Sequence, residues 1–258
     1  MPELSALAWS LLVAGALLVG LSKTAVPGAA TISVALFAAV LPARASTGAL
    51  LVLLMVGDLF AVWSYRAHAD LATLRRLVPT VLLGVLAGTA FLAVAGDDGV
   101  RRTIGVILLG LLALTVARRA RSRRARRTGE GSPRPAGGGL RRRITTGTYG
   151  VLGGFTTMVA NAGGPVMALY FLASSYSINR FLGTAAWFFF AVNLAKTPFS
   201  VSLGLITADS LRLDLLLLPA VVLGALVGRP LARRLDQQLF ERLVMALTVV
   251  SALYLLLG

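Results

Sequence analysis

Asn161-Ala162-Gly163-Gly164-Pro165 interrupts an apolar run with a polar side chain, two glycines and a proline. A second interruption, Lys23-Thr24-Ala25-Val26-Pro27-Gly28, lies in the first half of the chain. In hydrocarbon every backbone N–H and C=O needs a partner, so non-helical backbone persists only against protein or a water-filled cavity. Two such breaks at corresponding places in two halves of a membrane protein point to a transporter's binding site.

The composition supports a membrane setting. Of 258 residues 57% are hydrophobic and 14% charged, and the mean hydropathy is +0.83. The apolar residues fall in long runs, which marks an all-α integral membrane protein. There is no cysteine and a single histidine, His68. Disulfides, thiolate metal sites and histidine-cluster metal sites are thereby excluded, and no cofactor or metal is expected. The first segment lacks the form of a signal peptide, since Met1-Pro2-Glu3 carries no basic residue and the run ends in Lys23.

A net charge of +15 would suggest nucleic acid in a soluble protein. Here 11 of the 25 basic residues lie between Arg118 and Arg143, in a stretch that also holds Gly137-Gly138-Gly139. The stretch reads as a cytoplasmic linker attracted to anionic lipid heads, with no nucleic-acid partner.

Ten apolar segments can be drawn: 4–21, 29–41, 46–65, 77–95 and 103–117, then 144–160, 166–173, 181–206, 213–227 and 243–257. The second of each half is short against the ~20 residues that cross a bilayer. Each is expected to be a broken or re-entrant helix, which gives 8–10 membrane helices in all. The halves resemble copies. Gly48 and Gly183 stand 135 residues apart, and the same offset places Asp58 over Asn193. Pro79, Gly84 and Gly88 match Pro219, Gly224 and Gly228 at an offset of 140. The sequence therefore divides into a first repeat 1–117, an Arg-rich linker 118–143 and a second repeat 144–258. With the linker in the cytoplasm, 20 basic residues fall inside and four (Arg44, Arg101, Arg102, Arg212) outside. Both termini then lie on the outer side. Five segments per half make the repeats inverted.

Among the ten acidic residues, Asp58 stands inside an apolar segment and the others at ends and in loops. A carboxylate at mid-helix costs roughly 2.5–3.5 kcal/mol on insertion scales, so it faces a cavity or a partner. Asp58 is a candidate for proton coupling; a structural hydrogen bond or ion pair is the other reading. The chain uses Arg 23 times and Lys twice, and both lysines, Lys23 and Lys196, lie at or inside membrane segments. Two compact ammonium groups there suit an anion site. Alternatively, Lys23 snorkels to the interface and Lys196 pairs with Asp58. Gly28, Gly163 and Gly164 would let a ligand approach the backbone, and helices starting at Pro27-Gly28 and Pro165 would aim N–H groups at it. Thr24, Thr157, Asn161 and Asn193 could add neutral hydrogen bonds. The spaced glycines 84/88 and 224/228 read as helix-packing positions.

Gly20-Leu-Ser-Lys-Thr-Ala-Val-Pro-Gly28, Asn161-Ala-Gly-Gly-Pro165 and Gly183-Thr-Ala-Ala-Trp-Phe-Phe-Phe190, with Asn193 and Lys196-Thr-Pro198, resemble the TauE/SafE sulfite-exporter family. The resemblance spans 4–257 without the linker. It implies a plasma-membrane permease for small anions such as sulfite or organosulfonates. An anion channel, a membrane-embedded enzyme or an assembly subunit are the alternatives. Hydrolytic chemistry would want a second buried acid, base or metal ligand beside Asp58. A scaffold would need neither broken helices nor buried lysines.

Overall fold

The computed structural model describes residues 4–96, 139–174 and 176–257. The expected segment 103–117 and most of the linker 118–143 lie outside the described residues. Nine α-helices are described: α1 (Ala6–Thr24), α2 (Ala30–Val40), α3 (Ala43–Tyr65), α4 (Leu71–Val94), α5 (Gly139–Ala160), α6 (Gly163–Ala173), α7 (Ile178–Ser202), α8 (Ala208–Arg234) and α9 (Gln237–Leu257). A 3₁₀ turn, Arg66–His68, joins α3 to α4. No strand occurs among the described residues.

Several helices outrun the apolar segments that announce them. The eighth extends from 208 to 234 where the apolar run covers 213–227, and α5 starts at Gly139, inside the Arg-rich stretch, where the run starts at 144. Arginine is a good helix former, so a helix does not stop where its hydrophobicity does. Capping sets the true ends: the Thr207 hydroxyl accepts from Ser210 N–H at 3.1 Å, and Asp70 accepts from Thr73 N–H at 3.1 Å.

Among the described residues four stretches are long and apolar enough to cross a membrane: Ala6–Thr24, Ala45–His68, Leu71–Val94 and Ala208–Arg234. In contrast α2 and α6 have 11 residues each. At 1.5 Å per residue they reach about 16 Å, half a hydrocarbon core. Each folds back on the helix before it, α2 on α1 and α6 on α5.

Two helix pairs flank a central crossing of α3 with α7. In the first, α1 lies along α8 so closely that a Cβ on Gly20 would stand 2.0 Å from the Val221 carbonyl oxygen, and one on Gly224 2.1 Å from that of Leu17. In the second, α4 lies along α5, and a Cβ on Gly84 would stand 2.1 Å from the Val151 oxygen, one on Gly154 2.2 Å from that of Val81. Small residues let backbones touch, which drives helix association where lipid offers no hydrophobic gain. The two sets of contacts correspond. Gly154 follows Gly20 by 134 residues, and Val221 follows Val81 by 140.

One apolar core joins α1, α2, α3 and α8 around Leu12, Val19, Phe37, Leu53 and Val221. The larger one joins α4 to α7 and α9 around Leu77, Met158, Phe171, Phe181 and Phe240. The correspondence is imperfect. While α8 packs along α3, its counterpart α4 stands off α7, and an apolar groove of about 260 Å³ opens between Leu77, Val81, Val85, Trp187 and Val192.

Candidate functional site

The first break follows from its residues. Pro27 has no N–H and biases the residue before it out of the helical region, so α1 ends at Thr24. Gly28 turns the chain with φ +108°, a value that L side chains rarely adopt. Ser22 then ties the break: its hydroxyl accepts from Ala30 N–H at 2.9 Å and donates to the Val26 carbonyl at 3.3 Å. Of the donors expected to face a ligand here, Ala29, Ala30 and Thr31 N–H already bond to Val26 O, Ser22 Oγ and Gly28 O.

The second break is made differently. Asn161 takes the left-handed conformation, φ 54°, and ends α5 as glycine does elsewhere. Asn161 N–H returns to Thr157 O at 3.1 Å and Ala162 N–H to Thr156 O at 3.2 Å. Pro165 sits in the first turn of α6, where its missing N–H deprives no carbonyl. The breaks face one another, since a Cβ on Gly164 would lie 3.9 Å from Gly28 N.

Between them is a cavity of about 30 Å³, walled by Lys23, Gly28, Asp58, Thr157, Asn161, Gly164, Phe189 and Asn193. That is room for one or two water molecules. Lys23 Nζ pairs with Asp58 Oδ1 at 2.7 Å and stands 4.5 Å from the centre of the Phe189 ring, a cation–π contact. Asp58 Oδ2 accepts from Asn193 Nδ2 at 2.6 Å. The carboxylate is completely buried, whereas the lysine side chain is 10% exposed. Lys23 and Asp58 thus form an ion pair in the wall of the cavity.

Lys196 stands elsewhere. It is 1% exposed, and its ammonium donates to Thr157 O at 2.7 Å, to Thr157 Oγ1 at 3.4 Å and to Asn161 Oδ1. Asn161 Nδ2 in turn donates to Thr47 O at 2.9 Å. The lysine thus braces the second break against α3 and does not line the cavity. The partner of Asp58 is Lys23, not Lys196.

Six of the nine residues singled out for substrate border the cavity: Lys23, Gly28, Thr157, Asn161, Gly164 and Asn193. Three do not. The Thr24 hydroxyl donates to Gly20 O at 3.0 Å and Ala225 O at 3.1 Å, which fastens α1 to α8. A Cβ on Gly163 would meet Thr157 Cβ at 2.8 Å, so this glycine serves the packing of α6 on α5. Lys196 is the third. Ser22 and Phe189 line the cavity without having been singled out. Ser22 had a signal, a polar residue immediately before the break lysine. Phe189 had none, because nothing in Trp187-Phe-Phe-Phe190 tells which ring turns inward.

The acid inventory also needs correction. Asp214, placed by the sequence at a segment end, lies two turns into α8 and is 2% exposed. Neither of its carboxyl oxygens has a hydrogen-bond partner among the described residues. The apolar run begins at Leu213, which made Asp214 look terminal, but the helix starts earlier.

A second polar cluster lies where the α3–α4 turn meets α7. Asp70 Oδ2 accepts from Arg180 Nη2, Tyr176 Oη and Thr73 Oγ1, each at 2.8 Å, and Asp70 N–H donates to Thr184 Oγ1 at 3.0 Å. Partial burial pushes the Asp70 carboxyl up, but hydrogen bonds from Tyr176, Thr73 and Arg180 outweigh it and hold the group well below the usual carboxylate range.

A helical bundle with membrane-length apolar helices, two facing breaks and buried charges between them defines a multi-pass integral membrane protein. The chain belongs to the sulfite exporter TauE/SafE family, matching it over residues 12–255. No curated protein and no solved structure matches it.

Proposed function

We propose that the protein is a secondary transporter of small anions such as sulfite or organosulfonates, with its binding site in the cavity between the two breaks. One observation carries this: a lysine, paired with a completely buried carboxylate, lines a cavity that residues of both breaks border. Charged groups at membrane depth are expensive and mark substrate pathways. Lys23 supplies charge, Asn161, Asn193 and Thr157 supply neutral hydrogen-bonding groups, and Gly28 and Gly164 leave the backbone open to a ligand. Lys196 acts one step back, by fixing Asn161. Asp58 is the proton-coupling group.

The volume favours a carrier over an open channel, because about 30 Å³ cannot hold a hydrated ion. An anion enters only if the breaks or the helices around them move. The frame for such motion is an inverted repeat of 1–117 and 144–258, in the plasma membrane, with the Arg-rich linker cytoplasmic and both termini outside. Two findings support it. The α1–α8 and α4–α5 contacts correspond residue for residue, and Asp58 touches Asn193, its counterpart at an offset of 135. Equivalent residues meet each other where a two-fold axis passes, and transporter sites lie at that axis.

The test is uptake of labelled sulfite, sulfonates and other small anions into proteoliposomes containing the purified protein. Saturable uptake that Lys23→Gln removes is expected. No uptake of any of them above protein-free liposomes overturns the reading.

A further inference from the structure

Lys23 commits its charge to Asp58. An anion arriving beside the ammonium would place two negative groups on one cation, with the carboxylate completely buried behind it. Lys196 cannot balance the second charge by turning, because three oxygens of Thr157 and Asn161 hold it outside the cavity. Resting on the anion site proposed above, we infer that the substrate and Asp58 exchange places on Lys23, so that each anion is bound together with one proton, carried by Asp58.

The exchange balances. A proton bonds to a carboxylate oxygen of Asp58; the Lys23 Nζ–H···Oδ1 contact breaks; Lys23 keeps its three protons and donates to the anion. The new acid O–H needs an acceptor, and one is adjacent: Asn193 Oδ1 is buried and has no hydrogen-bond partner among the described residues. In the structure the Asn193 amide gives Nδ2 to the carboxylate. A half-turn of the amide would offer Oδ1 to the protonated acid and swing Nδ2 toward the cavity, adding a donor for the anion. When the anion leaves, the proton leaves and the ion pair closes again.

The groups that face Asp58 permit this. From α1 comes Lys23; from α7 come Asn193 and, farther off, Lys196. Helix α2 has no charged residue, and α8 turns Arg229 onto the Trp63 ring, 5.0 Å from its centre. The other buried acid, Asp214 of α8, is not among the residues that wall the cavity. Buried carboxylates that lose a cationic partner are neutralised by protonation sooner than left charged.

The measurement uses the full chain in detergent or nanodiscs with methanesulfonate, which stays ionised at all working pH values, so that any proton taken up is the protein's. In weakly buffered solution near pH 7, wild type should take up about one proton per anion bound. Its apparent affinity should fall up to tenfold per pH unit as the pH rises, as one-proton linkage requires. Asp58→Asn, which mimics the neutral acid, should bind at least as tightly as wild type at every pH between 6 and 8, with no proton uptake. Anion binding by wild type without proton uptake overturns the exchange and leaves the anion site standing. If wild type binds neither methanesulfonate nor sulfite, the anion site itself fails and the exchange with it. The wild-type proton count decides the matter even if Asp58→Asn does not fold.

Discussion

The two breaks occupy corresponding places and share glycine and proline, yet each closes its own backbone with different chemistry. The first turns on Gly28 and is tied by a serine; the second turns on Asn161, whose side chain is tied by a lysine. Each has one ammonium at hand, and the two are used in opposite ways. Lys23 meets an acid in the wall of the cavity, the pairing that the proposed exchange would open. Lys196 meets only neutral oxygens in a sealed place, where nothing competes for it. On the reading proposed above, a duplicated scaffold keeps its geometry while assigning charge for traffic on one side and for bracing on the other.

That contrast can be broken most directly by exchanging each ammonium for a neutral amide. A charge-assisted hydrogen bond contributes roughly 1.5–3 kcal/mol. Lys23→Gln should therefore raise the apparent dissociation constant for sulfite about tenfold to a hundredfold, while the protein still inserts. Lys23→Arg should restore charge and only part of the affinity, since a planar fork does not replace a point charge. Lys196→Gln should leave affinity within about threefold, with proteoliposome binding assays as the measure for all three. Equal losses from Lys23→Gln and Lys196→Gln would erase the distinction between traffic and bracing.

The bracing role is sharpened by stability. Lys196→Met keeps the length of the side chain and removes its donors, leaving Thr157 O and Asn161 Oδ1 without the ammonium. Thr157 O keeps the Asn161 N–H, so Asn161 Oδ1 is the acceptor left without a partner, at a cost of about 1–3 kcal/mol. Thermal unfolding of Lys196→Met in detergent should come several degrees below wild type, with α6 losing hydrogen-exchange protection first. An unchanged midpoint would show that the second break stands without its lysine.

Both breaks were legible in the sequence because glycine, proline and polar side chains are conspicuous in hydrocarbon, where backbone must stay paired. The match of Asp58 with Asn193 was legible too, as a constant offset. Which lysine meets Asp58 was not. That depends on the rotation of α1 and α7 about their own axes, and periodicity in a nearly all-apolar helix records it poorly, since lipid and protein neighbours are alike in polarity. For the same reason the sequence did not reveal that Thr24 and Gly163 serve packing. Helix ends were misjudged wherever a charged residue continued a helix, and Asp214 was misplaced for that reason.

Asp214 offers a smaller effect of opposite sign. It shares with Asp58 complete or nearly complete burial but has no hydrogen-bond partner among the described residues, whereas Asp58 has two partners. The residue at the offset of 140 in α4 is Leu74, so the scaffold accepts leucine at the corresponding place. A buried polar group without a hydrogen bond costs about 1–3 kcal/mol in proteins. Asp214→Leu should therefore raise the unfolding midpoint by a few degrees and leave methanesulfonate binding unchanged. A fall in stability, or lost binding, would show that Asp214 has a role that its surroundings do not reveal.

The smallest effect is expected at Asp70, outside the site, where the α3–α4 turn is latched to α7. Its carboxyl is held well below the ordinary range by Tyr176, Thr73 and Arg180. A depressed folded-state value means that the unfolded chain binds the proton more readily, so the latch stabilises the fold above the unfolded value near 4 and loses that contribution as the pH falls below it. Arg180 is half-exposed, so water and salt screen its share, and the cap to Thr73 and the Tyr176 bond carry most of the effect. Losing an Asp cap costs about 1 kcal/mol. Asp70→Asn keeps an acceptor for Thr73 N–H, so it should lower stability at pH 7 by about that amount or less, and the difference should shrink as the pH falls below about 4 and close only as it passes the depressed folded-state value. The two unfolding curves, measured against pH in the same detergent, should therefore converge in acid. If they stay parallel down to pH 3, the ionised carboxylate is not what holds the turn to α7.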